Sequence, residues 1–118
     1  MRVMHPGQVA YFEGEYVPVE DAKLSILTHA FNYGTALFEG IRGYYNAEED
    51  NVLIFRLPEH VDRMVRNFNI MCMEIPESRE DIAKVCVEVA KRSGFHEGIY
   101  LRPICYKNAQ VLGPKVHG

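Results

Sequence analysis

Ala36-Leu-Phe-Glu-Gly-Ile-Arg-Gly-Tyr-Tyr45 is aromatic and β-branched enough to be a strand. Alternate side chains of an extended chain share a face, so Phe38, Gly40, Arg42 and Tyr44 point one way. An arginine between aromatics, beside a glycine that opens room, is an odd core. It is a reasonable pocket for an anion next to an apolar group. Ile99-Tyr-Leu-Arg-Pro-Ile-Cys-Tyr106 reads as a second strand of the same kind, with Tyr100 and Arg102 on one face and Ile99 and Leu101 packed inward. Two strands thus each present an aromatic and an arginine. The same spacing also suits arginines facing solvent on a half-wet antiparallel sheet, or paired with Glu39 or Glu97.

Upstream, Val9-Ala-Tyr-Phe-Glu13 and Tyr16-Val-Pro-Val19 flank Gly14-Glu15 and predict a hairpin. Pro18 belongs near an edge, because it has no N–H for a ladder. Ser25-Ile-Leu27 suggests a strand, and Thr28 the cap of a short helical turn ending at Gly34. Downstream, Asn46 to Asn51 is an acidic turn, and Val52-Leu-Ile-Phe55 pairs back as a strand. Pro58 fits the first position of a helix, along which Val61, Met64, Val65, Phe68 and Met71 recur at helical spacing. After Pro76, Ser78-Arg-Glu-Asp81 is a capping-box variant opening a second helix. That helix buries Ile82, Val85, Cys86, Val89 and Ala90 and closes at Gly94; a polar loop follows Tyr106. Strands before helices predict an α+β fold, a largely antiparallel sheet with two amphipathic helices packed on it, as a single domain over 1–118.

A 47% apolar content suits a folded globule, and a net charge of −3 argues against nucleic-acid or anionic-membrane partners, which need a basic excess. The first residues lack a secretory apolar stretch, and no apolar run nears the roughly 20 residues that span a bilayer. Cys72, Cys86 and Cys105 are an odd number without Cys-x-x-Cys spacing, each in an apolar run. They read as small hydrophobes in a reducing cytoplasm. His5, His29, His60, His96 and His117 show no metal-ligand spacing. Arg63 falls about 150° from the centre of its helix's apolar stripe at ~100° per residue, on the side of His60 and Asn67. Periodicity alone makes it a solvated helix residue. On composition and spacing this is a small α+β domain of open role.

Tyr11-Phe-Glu-Gly-Glu-Tyr-Val-Pro-Val-Glu-Asp-Ala-Lys23 and Thr28-His-Ala-Phe-Asn-Tyr-Gly-Thr-Ala-Leu-Phe-Glu-Gly-Ile-Arg42 closely resemble the branched-chain amino-acid aminotransferases. Phe55-Arg-Leu-Pro-Glu-His-Val-Asp-Arg-Met64 and Tyr100-Leu-Arg-Pro-Ile104 continue the resemblance in order, from about Val9 to about Gly113. It implies the small N-terminal domain of a fold type IV enzyme that uses pyridoxal 5'-phosphate (PLP). Such enzymes move an amino group between leucine, isoleucine or valine and 2-oxoglutarate. By position, Arg63 resembles the arginine holding the cofactor phosphate. Tyr33 and Phe38 resemble walls of the apolar pocket, with Tyr33 acting across a dimer interface. Gly40 and Arg42 match positions lining the substrate side, and Tyr100 and Arg102 the pair that recognises substrate carboxylate.

A PLP transaminase also needs a lysine. None of Lys23, Lys84, Lys91, Lys107 or Lys115 stands in a matching context. The resemblance puts that lysine in a large domain beyond Gly118 and makes this chain a C-terminally truncated small domain, inactive alone and carrying no PLP by itself. It implies a homodimer or higher homo-oligomer as well. Two alternatives stay open: another fold type IV enzyme, namely a D-amino-acid aminotransferase or an aminodeoxychorismate lyase, and a non-catalytic interaction module.

Overall fold

The computed structural model describes residues 7–108; His5, His117 and the expected terminal loop lie outside them. β1 (Val9–Phe12) and β2 (Glu15–Pro18) form the expected hairpin around Glu13-Gly14, with Val9 opposite Pro18. Pro18 ends an edge strand, where its missing N–H costs no ladder bond. A 3-10 turn at Val19–Asp21 follows. The strand expected at Ser25–Leu27 is instead a turn: Ser25 Oγ accepts from Leu27 N at 3.1 Å, and Ser25 O from Thr28 N at 3.0 Å. A serine that satisfies the backbone two residues on competes with strand pairing. The short helix α1 (His29–Tyr33) ends at Gly34 as expected. Thr28 occupies its N-cap position, but its side chain makes no capping hydrogen bond.

The long strand expected through Tyr45 is divided into β3 (Ala36–Phe38) and β4 (Ile41–Asn46). Its expected partner is divided too, into β6 (Ile99–Leu101) and β7 (Ile104–Tyr106). β3 pairs with β7 and β4 with β6, both antiparallel. Both ladders keep one register, so Glu39 stands opposite Pro103 and Gly40 opposite Arg102. Pro103 explains the break. Glu39 N donates to Pro103 O at 3.1 Å, but proline has no N–H to return the bond. Alternation survives the interruption: Glu39, Ile41 and Gly43 are buried, whereas Phe38, Arg42 and Tyr44 are exposed.

β5 (Asn51–Ile54) completes a three-stranded sheet in the order β5-β4-β6. α2 (Leu57–Ile70) begins with Pro58 in its first turn and buries Val61, Met64 and Phe68. These join Met73, Ile82 and Cys105 in one core cluster, with Val65 packed against it. Met71, expected in that stripe, lies outside the core and Met73 takes its place. The helix stops at Ile70, Cys72 adopts φ 56°, and Met73 N returns to Phe68 O at 2.8 Å. α3 (Arg79–Ser93) carries the expected capping box, with reciprocal Ser78 and Asp81 bonds of 3.1 and 3.0 Å, and ends at Gly94. Its Cys86 packs on Ile41 and Leu101 as a second cluster. The fold is therefore α+β, with antiparallel sheets, the two amphipathic helices and the short expected turn of helix at α1.

Of the cysteines, Cys86 and Cys105 are buried free thiols, as expected, and burial pushes the Cys86 thiol up to about 11. Cys72 is exposed at its left-handed turn. Gly43 lets β4 lie close to its neighbours, since a Cβ there would sit 2.5 Å from Ile99 Cγ1 and 2.7 Å from Val52 Cγ1. Both contacts are β-branched side chains from the strands on either side, so relief needs a rotamer change or a backbone shift. Gly43→Ala is expected to destabilise the fold by about 1–3 kcal/mol, read as a lower urea midpoint.

Candidate functional site

Phe38, Gly40 and Arg42 leave the divided strand on its outward face, opposite Ile104, Arg102 and Tyr100. Opposed residues of an antiparallel pair point to the same side, so these side chains share one surface. The Arg102 Cζ lies 4.6 Å from the Phe38 ring centroid and 5.3 Å from that of Tyr100. Its Nη2 reaches the Tyr100 hydroxyl oxygen at 3.5 Å. A guanidinium held by two aromatic faces keeps its N–H groups available at a fixed place. The Tyr100 ring lies over Gly40, where its Cε2 would stand 2.9 Å from a Cβ, so a side chain there would displace the ring.

Phe38 and Tyr100 are each more than half exposed, so the surface is an open wall. A cleft of about 310 Å³ beside the β1–β2 hairpin, lined partly by Val9, Tyr16 and Arg92, shares no residue with it. Tyr33 is not on either strand. It sits at the end of α1, its ring centroid 4.7 Å from that of His29. His29 is itself buried, with Nδ1 2.9 Å from Thr35 Oγ1.

The inward face carries what spacing misses. Glu39 is only 4% exposed, yet it is a carboxylate. Burying such a charge is costly unless it is paired and hydrogen-bonded. α2 supplies both partners: Arg63 donates from Nε to Oε2 at 2.9 Å and from Nη2 to Oε1 at 2.7 Å, and His60 Nδ1 lies 2.8 Å from Oε1. Spacing alone offers Glu39 as a partner for Arg42 or Arg102, which does not hold. It offers Arg63 as a solvated residue, which it is in part while also pairing with Glu39. The available signal is parity. Glu39 falls on the opposite face from Phe38 and Gly40, which marks an inward carboxylate in need of a cation. His60 and Arg63, three apart on one helix flank, are such a source.

Arg63 remains 56% exposed, and among the described residues its Nη1 has no partner. The Arg63 hydrogen bonds hold the Glu39 carboxyl below its ordinary value of 4.5, and His60 adds to this against the opposing effect of burial. The same pairing raises the affinity of Arg63 for its proton. The described residues hold no group of three or more His, Cys, Asp or Glu able to bind a metal ion.

No family model matches the chain. It is 44% identical over 107 residues to a probable branched-chain-amino-acid aminotransferase of Aquifex aeolicus, covering 91% of this chain and 34% of that protein. The chain is homologous to part of the branched-chain-amino-acid aminotransferases. The enzyme of Thermoproteus uzoniensis, solved with norvaline, matches at TM-score 0.82 and 37% identity over 90% of this chain and 35% of that one. The T.th. enzyme complexed with N-(5'-phosphopyridoxyl)-L-glutamate matches at TM-score 0.83 and 39% identity, over 93% and 36%. This chain thus spans about a third of the length of the aminotransferases it resembles.

A carboxylate whose folded pKa is depressed contributes stability above its unfolded value and loses it as pH falls through the folded one. The carboxylate's contribution to the stability difference between wild type and Glu39→Gln is therefore expected to be present above pH 4.5, the ordinary value, and to be lost below it. It should shrink steadily on further acidification. Chemical denaturation over a pH series measures it, and a difference that grows below pH 4.5 contradicts the pairing.

Proposed function

We propose that this chain is the substrate-side portion of a PLP-dependent branched-chain amino-acid aminotransferase. The full enzyme would exchange an amino group between leucine, isoleucine or valine and 2-oxoglutarate. The observation that carries the reading is Arg102, stacked on Phe38 and Tyr100 on an open wall. Each half-reaction asks for a different surface. An aliphatic side chain needs apolar walls, which Phe38 and the ring of Tyr100 provide. The distal carboxylate of glutamate needs a cation, and Arg102 stands at the edge of those same rings. Gly40 lets the Tyr100 ring lie against the strand, and Arg42 lies directly across the ladder from Tyr100. The ligands of the two solved relatives, norvaline and a phosphopyridoxyl-glutamate, are of these two kinds.

Arg63 suits the phosphate of PLP. It is a half-exposed guanidinium, fixed by Glu39 on one edge, with Nη1 left for an anion. When bound through a lysine elsewhere in the protein, the cofactor supplies the electron sink that lets the amino group change carriers. This chain's residues bind and orient; none of those described here moves the proton.

The reading extends to a homo-oligomer in which Tyr33 completes a neighbour's pocket. Leu24, Ile26, Leu27 and Phe31 support it, since they cluster around α1 and each is 45–75% exposed. It extends also to a cytoplasmic location, supported by three unpaired cysteines. No described helix is long and apolar enough to cross a membrane.

The test is amino transfer from L-leucine to 2-oxoglutarate by the full polypeptide that contains this chain. Turnover requiring PLP is expected; absence of turnover, or preference for D-alanine, rejects the assignment. Arg102→Gln should lower kcat/KM for 2-oxoglutarate about ten- to hundredfold, the worth of a hydrogen bond to a charged group. The value for leucine should fall much less. Equal losses on both substrates would remove Arg102 from carboxylate recognition.

A further inference from the structure

We propose that Glu39, seconded by His60, is a positioning residue that holds the Arg63 guanidinium in the orientation that receives the cofactor's phosphate. The inference rests on the reading of Arg63 given above and goes beyond it, because it has Glu39 and His60 act through Arg63. Three observations carry it. Glu39 is almost wholly buried, so its carboxylate cannot swing to other partners. It takes Arg63 through both Nε and Nη2, which fixes the plane of the guanidinium as well as its place. His60, one turn earlier on α2, binds the same oxygen as Arg63 Nη2 and so fixes the carboxylate in turn.

The arrangement is anchored in the backbone. Glu39 N donates to Pro103 O at the break between the two ladders. Its chain neighbours are Phe38 and Gly40, both on the outward wall. One residue of main chain therefore sets the distance from the substrate wall to the phosphate-facing arginine. A carboxylate beside a phosphate site also has an adverse effect, since it competes for the arginine's charge. Which effect prevails follows from the edge used. Glu39 occupies the Nε–Nη2 edge and leaves Nη1 open, so the phosphate and the carboxylate need not share donors. An arginine immobilised in advance avoids the rotamer entropy that a free one loses on binding.

The experiment compares PLP with pyridoxal, which lacks the phosphate, as ligands of the full polypeptide. Dissociation constants are read by cofactor absorbance and fluorescence for wild type, Glu39→Gln, His60→Asn, Arg63→Gln and the Glu39→Gln/Arg63→Gln double variant. Glu39→Gln should weaken PLP about three- to tenfold, the effect of freeing one long side chain, and leave pyridoxal unchanged. His60→Asn should act in the same direction more weakly, and it serves as the test if Glu39→Gln does not fold. In the Arg63→Gln background the Glu39 substitution should add nothing to the PLP-to-pyridoxal ratio, because both act through one guanidinium.

Equal weakening of both ligands would make Glu39 merely structural and overturn the proposal. So would unchanged binding of both, or tighter PLP binding, the result expected if the carboxylate only competes for Arg63. A further loss in the Arg63→Gln background would show that Glu39 acts through something else. Wild-type protein that binds PLP while these variants do not discriminate leaves the aminotransferase reading intact and removes only this inference. Wild-type protein that binds no PLP removes both.

Discussion

A buried carboxylate needs its charge met before the chain around it can settle, and Glu39 imposes that need at the centre of this fold. It lies on the inner face of a strand otherwise lined by Leu37, Ile41 and Gly43, facing α2. α2 must therefore dock in the rotation that brings both His60 and Arg63 over it, with Val61, Met64 and Phe68 turned into the core. The polar pairing and the apolar packing select one helix orientation between them. Neither alone does so, because a hydrophobic stripe tolerates small rotations that a bidentate ion pair does not.

The same residue sits where the paired strands lose a hydrogen bond to Pro103. The ladders on either side keep a common register, so the interruption does not reverse any side chain. It leaves a gap in the ladder without spoiling the alternation. The consequence is a divided strand with different chemistry on its two faces. Phe38, Gly40, Arg42, Tyr100 and Arg102 make an outward wall, and Glu39 passes the position of that wall to Arg63.

In the proposed reading, the wall would meet chemically unlike ligands with one surface. Arg102 is stacked rather than salt-bridged, so its charge is not spent on an internal carboxylate. A guanidinium lying on aromatic faces presents apolar rings to an aliphatic group and N–H groups to an anion within a few ångströms. Its openness is equally informative. A wall this exposed would cover only one side of a ligand.

Much of this is legible in the residues themselves. Period-two alternation puts Phe38, Gly40 and Arg42 together and Tyr100 with Arg102, because that parity is a property of extended backbone and needs no neighbours. The hairpin at Glu13-Gly14, the capping box at Ser78 and the α2 stripe through Phe68 are likewise local facts. Other features depend on contacts across the fold. Ser25 closing a turn, Met73 displacing Met71 and the break opposite Pro103 each turn on which backbone groups find partners. Arg63 is the clearest case. Helical periodicity makes it a solvated residue, because periodicity counts apolar neighbours along one helix. Its partner is a carboxylate 24 residues away on another element. Sequence alone determined which side chains share a face; only the packing of α2 against the divided strand decided which of them meet, since a long-range ion pair is set by docking and not by spacing.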